Sequence, residues 1–214
     1  MKSLVINEIF HSIQGESSYM GLPCVFVRLT YCNLRCSYCD TEYAFHEGTS
    51  MSIESIIEKV KEYKCRLVEI TGGEPLAQDN VHDLMSRLCD LDFEVLLETG
   101  GSLDISRVDG RVERIMDIKT PSSGMEKKNL WENILHLKVT DEIKFVVGDR
   151  NDFEWAVQTI RQHQLEDRCP VLFSPVFGEL SPRELSGWIL EEGLNARFQL
   201  QMHKYIWEPE ARGV

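Results

Sequence analysis

No apolar run in the 214-residue sequence approaches the ~18 residues of a membrane-spanning helix, which excludes such a span. The opening residues, Met1-Lys2-Ser3-Leu4-Val5-Ile6-Asn7-Glu8, also lack the long apolar stretch and cleavage site of a secretory leader. Cationic residues are scarce. Lys and Arg total 23 against 35 Asp and Glu, giving a net charge of -12, and that field repels phosphate backbones. Broad nucleic-acid binding is therefore not expected, and a small-molecule substrate is favoured. Repeats, low-complexity tracts and linker-like segments are absent too, so residues 1–214 are expected to form one unit around one core. Seven cysteines are an odd number, which argues against a complete disulfide framework. Together with the missing leader, this predicts a reducing cytoplasm and cysteines that are reactive or metal-bound.

What the sequence does have is apolar strands alternating with amphipathic helices, the pattern of an α/β fold. Strands are predicted at Cys24–Thr30, Leu67–Thr71, Phe93–Glu98, Ile115–Ile118, Ile143–Val147 and Val171–Phe173. Their near-continuous apolar character suits a parallel sheet buried on both faces. Ser52 can cap a helix carrying Ile53, Ile56, Ile57 and Val60 on one side. Val81, Leu84, Met85 and Leu88 repeat that spacing, as do Phe153, Ala156, Val157 and Ile160; all three stripes read as core. Polar and glycine-rich signals fall just after the strands, at Tyr31–Thr41, Gly72–Pro75, Thr99–Gly101, Lys119–Ser123 and Ser174–Pro175. In parallel sheets that edge is where active sites assemble.

Cys32, Cys36 and Cys39 place three soft sulfur donors in one short loop with the spacing C-x3-C-x2-C. Sulfur donors suit zinc or an iron–sulfur cluster, and the choice turns on a fourth ligand. His46 is the nearest candidate for a closed zinc site. Cys24, Cys65, Cys89 and Cys169 read instead as small buried residues. Three cysteines without a fourth would leave one iron of a 4Fe-4S cluster open to an exogenous ligand. The spacing resembles the hallmark of the radical S-adenosylmethionine superfamily, with Tyr38 as the aromatic residue before the third cysteine. The resemblance implies that the open iron chelates S-adenosylmethionine, that reduction yields a 5′-deoxyadenosyl radical, and that Tyr38 lies against the adenine. Thr71-Gly72-Gly73-Glu74-Pro75 alone is a tight strand-to-helix turn. With the cysteine loop it resembles the superfamily's GGEP motif, whose exposed backbone binds the methionine amino group; glycine permits that approach.

Phe10-His11-Ser12-Ile13-Gln14-Gly15-Glu16-Ser17 reads by itself as a surface turn ahead of the first long strand. It also resembles the F-x-S-x-Q-G-E-G signature of the 7-carboxy-7-deazaguanine synthase family, departing at Ser17. Serine disfavours positive φ, so the loop is expected to differ slightly there. The resemblance continues through Phe26-Val27-Arg28, Cys39-Asp40-Thr41, Ile70–Gly73, Glu98–Gly101, Lys119–Ser123 and Gln201–Tyr205; Ile206–Val214 carry less weight.

Membership would imply an abbreviated, partly open (β/α) barrel and a lyase that converts 6-carboxy-5,6,7,8-tetrahydropterin to 7-carboxy-7-deazaguanine with loss of ammonia, a step toward queuosine. The cofactors implied are a 4Fe-4S cluster on Cys32, Cys36 and Cys39, S-adenosylmethionine, and Mg2+ at the hard oxygen of Thr41. Tyr38, Gly73, Asp117, Lys119 and Ser122 carry over as contacts to S-adenosylmethionine. Ile13, Gln14, Gly15, Arg28, Thr71 and Gly100 carry over as contacts to the pterin. Arg28 suits its carboxylate as a bidentate cation, and Gln14 could read the pterin's donor and acceptor edge through its amide. An external one-electron donor such as a flavodoxin and a homodimeric state are implied as well. The competing readings are an activase for a glycyl-radical enzyme, which shares the cysteine spacing, and a non-catalytic zinc module using His46.

Overall fold

The structure, a computed structural model, describes residues 2–214. The first strand, β1 (Ser3–Ile13), was not predicted: it has no continuous apolar run but alternates in Ser-Leu-Val-Ile-Asn-Glu-Ile-Phe-His-Ser-Ile and buries Leu4, Ile6, Phe10 and Ser12. Phe10 to Ile13 are thus strand, not surface turn, and only Gln14 to Ser17 leave the sheet. β2 (Pro23–Leu29) pairs antiparallel with it, and so does the short β3 (Thr49–Ser52) on the other side.

From there the chain alternates. Ser52 caps α1 (Ile53–Glu62), its side chain accepting from the Ser55 N–H at 3.1 Å, and the predicted apolar stripe faces the core. β4 (Leu67–Gly72), α2 (Val81–Asp90), β5 (Glu94–Thr99), β6 (Glu113–Asp117) and β7 (Glu142–Val147) follow. Asp149 caps α3 (Arg150–His163) by accepting from the Asp152 N–H at 2.9 Å. The chain then runs through β8 (Val171–Pro175), α4 (Pro182–Glu192), β9 (Ala196–Phe198) and the single turn α5 (His203–Ile206). Pro182 starts α4 at a position where a missing N–H costs nothing, and Gly193 ends it in the left-handed conformation.

The nine strands form one sheet in the order β3-β1-β2-β4-β5-β6-β7-β8-β9, with every pair from β2 to β9 parallel. β3 and β9 do not pair with each other, so the sheet stays open, as a partial barrel requires. Side chains alternate across it. Val27, Ile70, Leu97, Phe145 and Phe173 point outward into a core shared with α1 to α4. At ~1.5–3 kcal/mol per fully buried large side chain, this layer dominates stability. The opposite phase points inward. Toward the N-terminal ends of the parallel strands it holds a smaller apolar plug of Cys24, Phe26, Leu67, Leu96 and Ile115, joined by Phe10 from antiparallel β1, whose ring stacks on Phe26 at 4.9 Å.

Candidate active site

Further along the same inward phase, the residues change character. Arg28 lies beside Thr71, Glu98 beside Ile115, and Asp117 beside Lys144, so charged residues carried inside apolar strands converge above the plug. Lys144 is their hub, with its ammonium 2.8 Å from Glu16 Oε2, 3.4 Å from Asp117 Oδ1, and paired with Glu98 Oε1. Glu98 Oε2 accepts from the Thr71 hydroxyl at 3.0 Å. Burial works against the charge on Lys144, yet Asp117, Glu16 and Glu98 together push its pKa well up. Burial likewise opposes the charges on Glu16 and Asp117, but Lys144 beside the first and Lys119 and Lys144 beside the second hold both carboxyls below the ordinary range. Glu69 forms no ion pair, and the more distant Lys144 and the Gln14 amide are outweighed. Burial, reinforced by Glu98 and Glu16, pushes its carboxyl well above that range.

The cysteine loop crosses the C-terminal edge of the sheet directly after β2. It is pinned from outside, where the Ser37 N–H donates to the Ser123 carbonyl at 3.1 Å and the Ser37 hydroxyl to the Ser122 carbonyl at 2.7 Å. Cys32, Cys36 and Cys39 are free and half-buried, and burial pushes all three thiols up. Binding a cationic cluster would displace those protons. Among the described residues no three His, Cys, Asp or Glu side chains converge tightly enough to hold a single metal ion. His46 is exposed and lines no part of the cavity that the cysteines face.

The turn after β4 supports the loop. A side chain at Gly73 would collide with the Tyr31 carbonyl and Cys32 Cβ, so glycine lets the two turns touch. Glu74, fully buried, accepts from the Gly100 N–H at 2.7 Å, the Leu76 N–H at 3.0 Å and the Thr99 hydroxyl at 2.9 Å, tying the end of β4 to the end of β5.

These edges enclose a cavity of about 660 Å³. Its wall includes Ile13, Gln14, Gly15, Arg28, Cys32, Cys36, Tyr38, Cys39, Thr41, Thr71, Gly73, Gly100, Asp117 and Lys119, all singled out from the sequence. Ser122 is outside it, with its N–H 2.8 Å from Asp152 Oδ1 and its hydroxyl also on Asp152. Arg28 gives its Nε–H to Glu8 at 2.8 Å and leaves its two terminal nitrogens without a protein acceptor among the described residues. Lys119 pairs with Asp117 at 2.7 Å. Asp117 Oδ1 is buried with only the Lys144 ammonium near it, 3.4 Å away and poorly aligned, so the oxygen keeps acceptor capacity for a ligand.

Gln14 departs from its expected use. Its amide oxygen accepts from the Glu16 N–H at 3.0 Å and its amide nitrogen donates to Glu69, so the amide braces the loop. Ser17 departs in the other direction. It adopts φ 62°, a left-handed conformation that favours glycine, and is held there by donating its N–H to Gln199 Oε1 at 2.8 Å and accepting from the Tyr19 N–H at 3.2 Å.

Among the acidic and basic side chains in the wall, Glu16, Glu69, Glu98 and Lys144 had been assigned no role from the sequence. Their signal was available: each sits at the inward phase of its strand or on the signature loop. The C-terminal segment also contributes. His203 packs where a side chain on Gly15 would otherwise stand, the Met202 N–H donates to the Gly15 carbonyl at 2.9 Å, and Lys204 pairs with Asp40 at 2.7 Å. Asp40 in turn accepts from the Thr41 hydroxyl at 2.9 Å. Glu210, Arg212 and Val214 reach the wall as well, with the Arg212 guanidinium 3.7 Å over the Tyr43 ring and 3.2 Å from Glu47.

Comparison with known proteins agrees with this geometry. The family model for the radical SAM superfamily matches residues 27–163. A 7-carboxy-7-deazaguanine synthase of Chlorobaculum tepidum is 50% identical over 214 residues, covering 99% of this chain and 97% of that one. One from Koribacter versatilis is 45% identical, covering 98% and 99%. Among solved structures, QueE from Escherichia coli superposes with a TM-score of 0.78 at 22% identity, over 94% of this chain and 95% of that one.

Proposed function

Because the chain belongs to the radical SAM superfamily and, within it, to the 7-carboxy-7-deazaguanine synthases, we propose that its cavity converts 6-carboxy-5,6,7,8-tetrahydropterin to 7-carboxy-7-deazaguanine with loss of ammonia. The observation that carries this reading is the meeting, at one sheet edge, of the three-cysteine loop and an inward-facing charged layer able to grip a small anionic heterocycle. All nine strands share one sheet, which supports treating residues 1–214 as a single core domain.

Cys32, Cys36 and Cys39 would hold the 4Fe-4S cluster. Together with bound S-adenosylmethionine, the cluster supplies a one-electron cleavage that delivers a carbon radical able to abstract hydrogen. Tyr38 would lie against the adenine, the Gly73 backbone would meet the methionine amino group, Asp117 and Lys119 would bind the remaining polar atoms, and Ser122 would join them only by exchanging its Asp152 contact for one to the ligand. The spare acceptor capacity of Asp117 Oδ1, which has only a poorly aligned contact to Lys144, fits a donor on that ligand. Arg28, whose terminal nitrogens are uncommitted, would clamp the pterin carboxylate. Thr41, braced by Asp40, would offer Mg2+ a hard oxygen. Ile13, Gln14 and Gly15 would meet the pterin through their backbone, with Thr71 and Gly100 completing the wall. The chain's own work is to fix the reacting carbon and keep water out.

An external one-electron donor, a homodimer and a cytoplasmic setting complete the proposal; among the described residues no helix is long and apolar enough to cross a membrane. The test is anaerobic reconstitution with iron and sulfide, then turnover of the carboxytetrahydropterin with dithionite, with and without Mg2+. We expect a brown protein and a deazaguanine product that grows with Mg2+. A brown protein that cleaves S-adenosylmethionine but leaves the pterin untouched would overturn the substrate. A colourless protein would overturn the cofactor.

A further inference from the structure

Glu16, Glu98 and Asp117 share the Lys144 ammonium, and Asp117 also has Lys119, but Glu69 forms no ion pair in the same inward layer. It occupies the inward phase of β4 one position below Thr71, beside Phe26 of β2 and Leu96 of β5. Its carboxyl therefore stands on the apolar plug, at the floor of the cavity, and the residue is 5% exposed. The titratable and charged groups around it are Cys24 from β2, Glu98 from β5, Lys144 from β7 and Glu16 from the loop after β1. The one cation among them is already spent on Glu16 and Glu98. A further negative charge here has no compensation, so burial, Glu98 and Glu16 together make Glu69 hold its proton more tightly than an ordinary carboxyl.

The Gln14 amide determines where that proton sits. Its oxygen accepts from the Glu16 N–H at 3.0 Å, which fixes the amide's orientation and turns its nitrogen onto Glu69 Oε2. A hydroxyl on Oε2 would confront that N–H, so the proton belongs on Oε1. Oε1 has no hydrogen-bond partner within the protein among the described residues, and it is not among the polar atoms sealed from solvent without one. It opens onto the cavity that Glu69 lines.

We propose that Glu69 is a specificity-determining residue that works as a neutral acid, its Oε1 hydroxyl donating to an acceptor on the pyrimidinone ring of the substrate. The inference rests on the pterin reading of the cavity. Arg28, one inward row above beside Thr71, has free terminal nitrogens for the substrate's carboxylate. Strands rise ~3.3 Å per residue, so the Arg28 and Glu69 rows lie ~7 Å apart, comparable with the span of a bicyclic pterin from its carboxylate to its far ring. An ionised carboxylate at the floor would repel the acceptors of that ring, whereas a carboxylic acid attracts one of them. The edge reading expected of the Gln14 amide thus passes to the carboxyl that the amide holds. A buried donor of this kind discriminates strongly, because a ligand without the matching acceptor leaves it unpaired.

The test uses the full, cluster-loaded chain with S-adenosylmethionine, kept anaerobic and unreduced so that the carboxytetrahydropterin binds without turning over. Glu69→Leu should raise its calorimetric dissociation constant about tenfold or more. Glu69→Gln offers an amide N–H where the hydroxyl stood and should recover that loss to within about threefold of wild type. Infrared difference spectra, wild type minus Glu69→Gln, should show the C=O band of a protonated carboxyl at neutral pH, displaced when the pterin binds. Three results would each overturn the donor: binding in Glu69→Gln as weak as in Glu69→Leu, wild-type affinity in Glu69→Leu, or the band of an ionised carboxylate. The last decides even if Glu69→Leu does not fold. If the wild type binds no pterin, the proposed function is what fails, and the band in the empty cavity still decides whether Glu69 holds its proton there.

Discussion

Lys144 and Phe145 are neighbours in β7, yet they serve opposite faces of one sheet and obey different rules. Phe145 is fully buried in the outer core, stacked on Phe173 at 5.5 Å and edge-on to Trp155. Lys144, almost as buried, meets three carboxylates and lines the cavity. On the outer face each residue contributes through the area it removes from water, and one apolar group can replace another of similar volume at modest cost. On the inner face each charge is tolerable only because the others are present. The outer layer makes the fold; the inner layer spends part of that stability on a prearranged polar site.

The contrast is sharpest when both residues of β7 are changed. Lys144→Met should strand Glu16 and Glu98 and leave Asp117 to Lys119 alone, lowering stability in urea by about 3–5 kcal/mol and abolishing turnover. Phe145→Ala should cost a similar ~3–5 kcal/mol through its cavity while the folded fraction keeps its specific activity. If Lys144→Met stayed active, or Phe145→Ala lost activity in its folded fraction, the division of labour would be wrong.

A smaller effect is expected from Glu69, the inner carboxyl without a cation of its own. Its folded pKa is raised, so between the unfolded value of ~4.3 and the raised value the folded protein binds more protons than the unfolded one. Its contribution is therefore full below about pH 4 and declines as pH climbs through that window. Glu69→Gln should flatten this decline and leave the protein relatively more stable at neutral pH. Unfolding free energies measured from pH 4 to 8 for both proteins would show it, and parallel curves would refute it. The smallest effect belongs to Ser17. Replacement by glycine removes a left-handed penalty of ~1 kcal/mol but also the hydroxyl that accepts from Tyr19, so a gain between zero and ~1 kcal/mol in the urea midpoint is expected. A clear loss would mean that the hydroxyl, not the backbone, governs that loop.

The same two faces explain what could be read from the sequence. Outer-face residues recur at every second position of β2, β4, β5, β7 and β8 and match the helix stripes of α1 to α3, so those elements stood out. β1 was missed because it alternates apolar with polar, while β3 and β9 are too short and too exposed to carry a pattern. α4 was missed because Gly187 interrupts it and it buries only Leu185 and Ile189. At the site, the cysteine loop and the Gly-Gly-Glu-Pro turn are local in sequence and therefore legible. The Lys144 network joins residues 128 positions apart, and it emerges only once the strand register places Asp117 opposite Lys144 and Glu98 opposite Ile115.

Arg212, stacked on Tyr43 beside the wall contributed by Val214, bears on how the protein should be handled. A purification tag joined after Val214 would begin at the cavity's own wall and could obstruct entry or pull Arg212 from its ring. Ser3, at the start of β1, lines no part of the cavity, which makes the front of the chain the safer place for a tag.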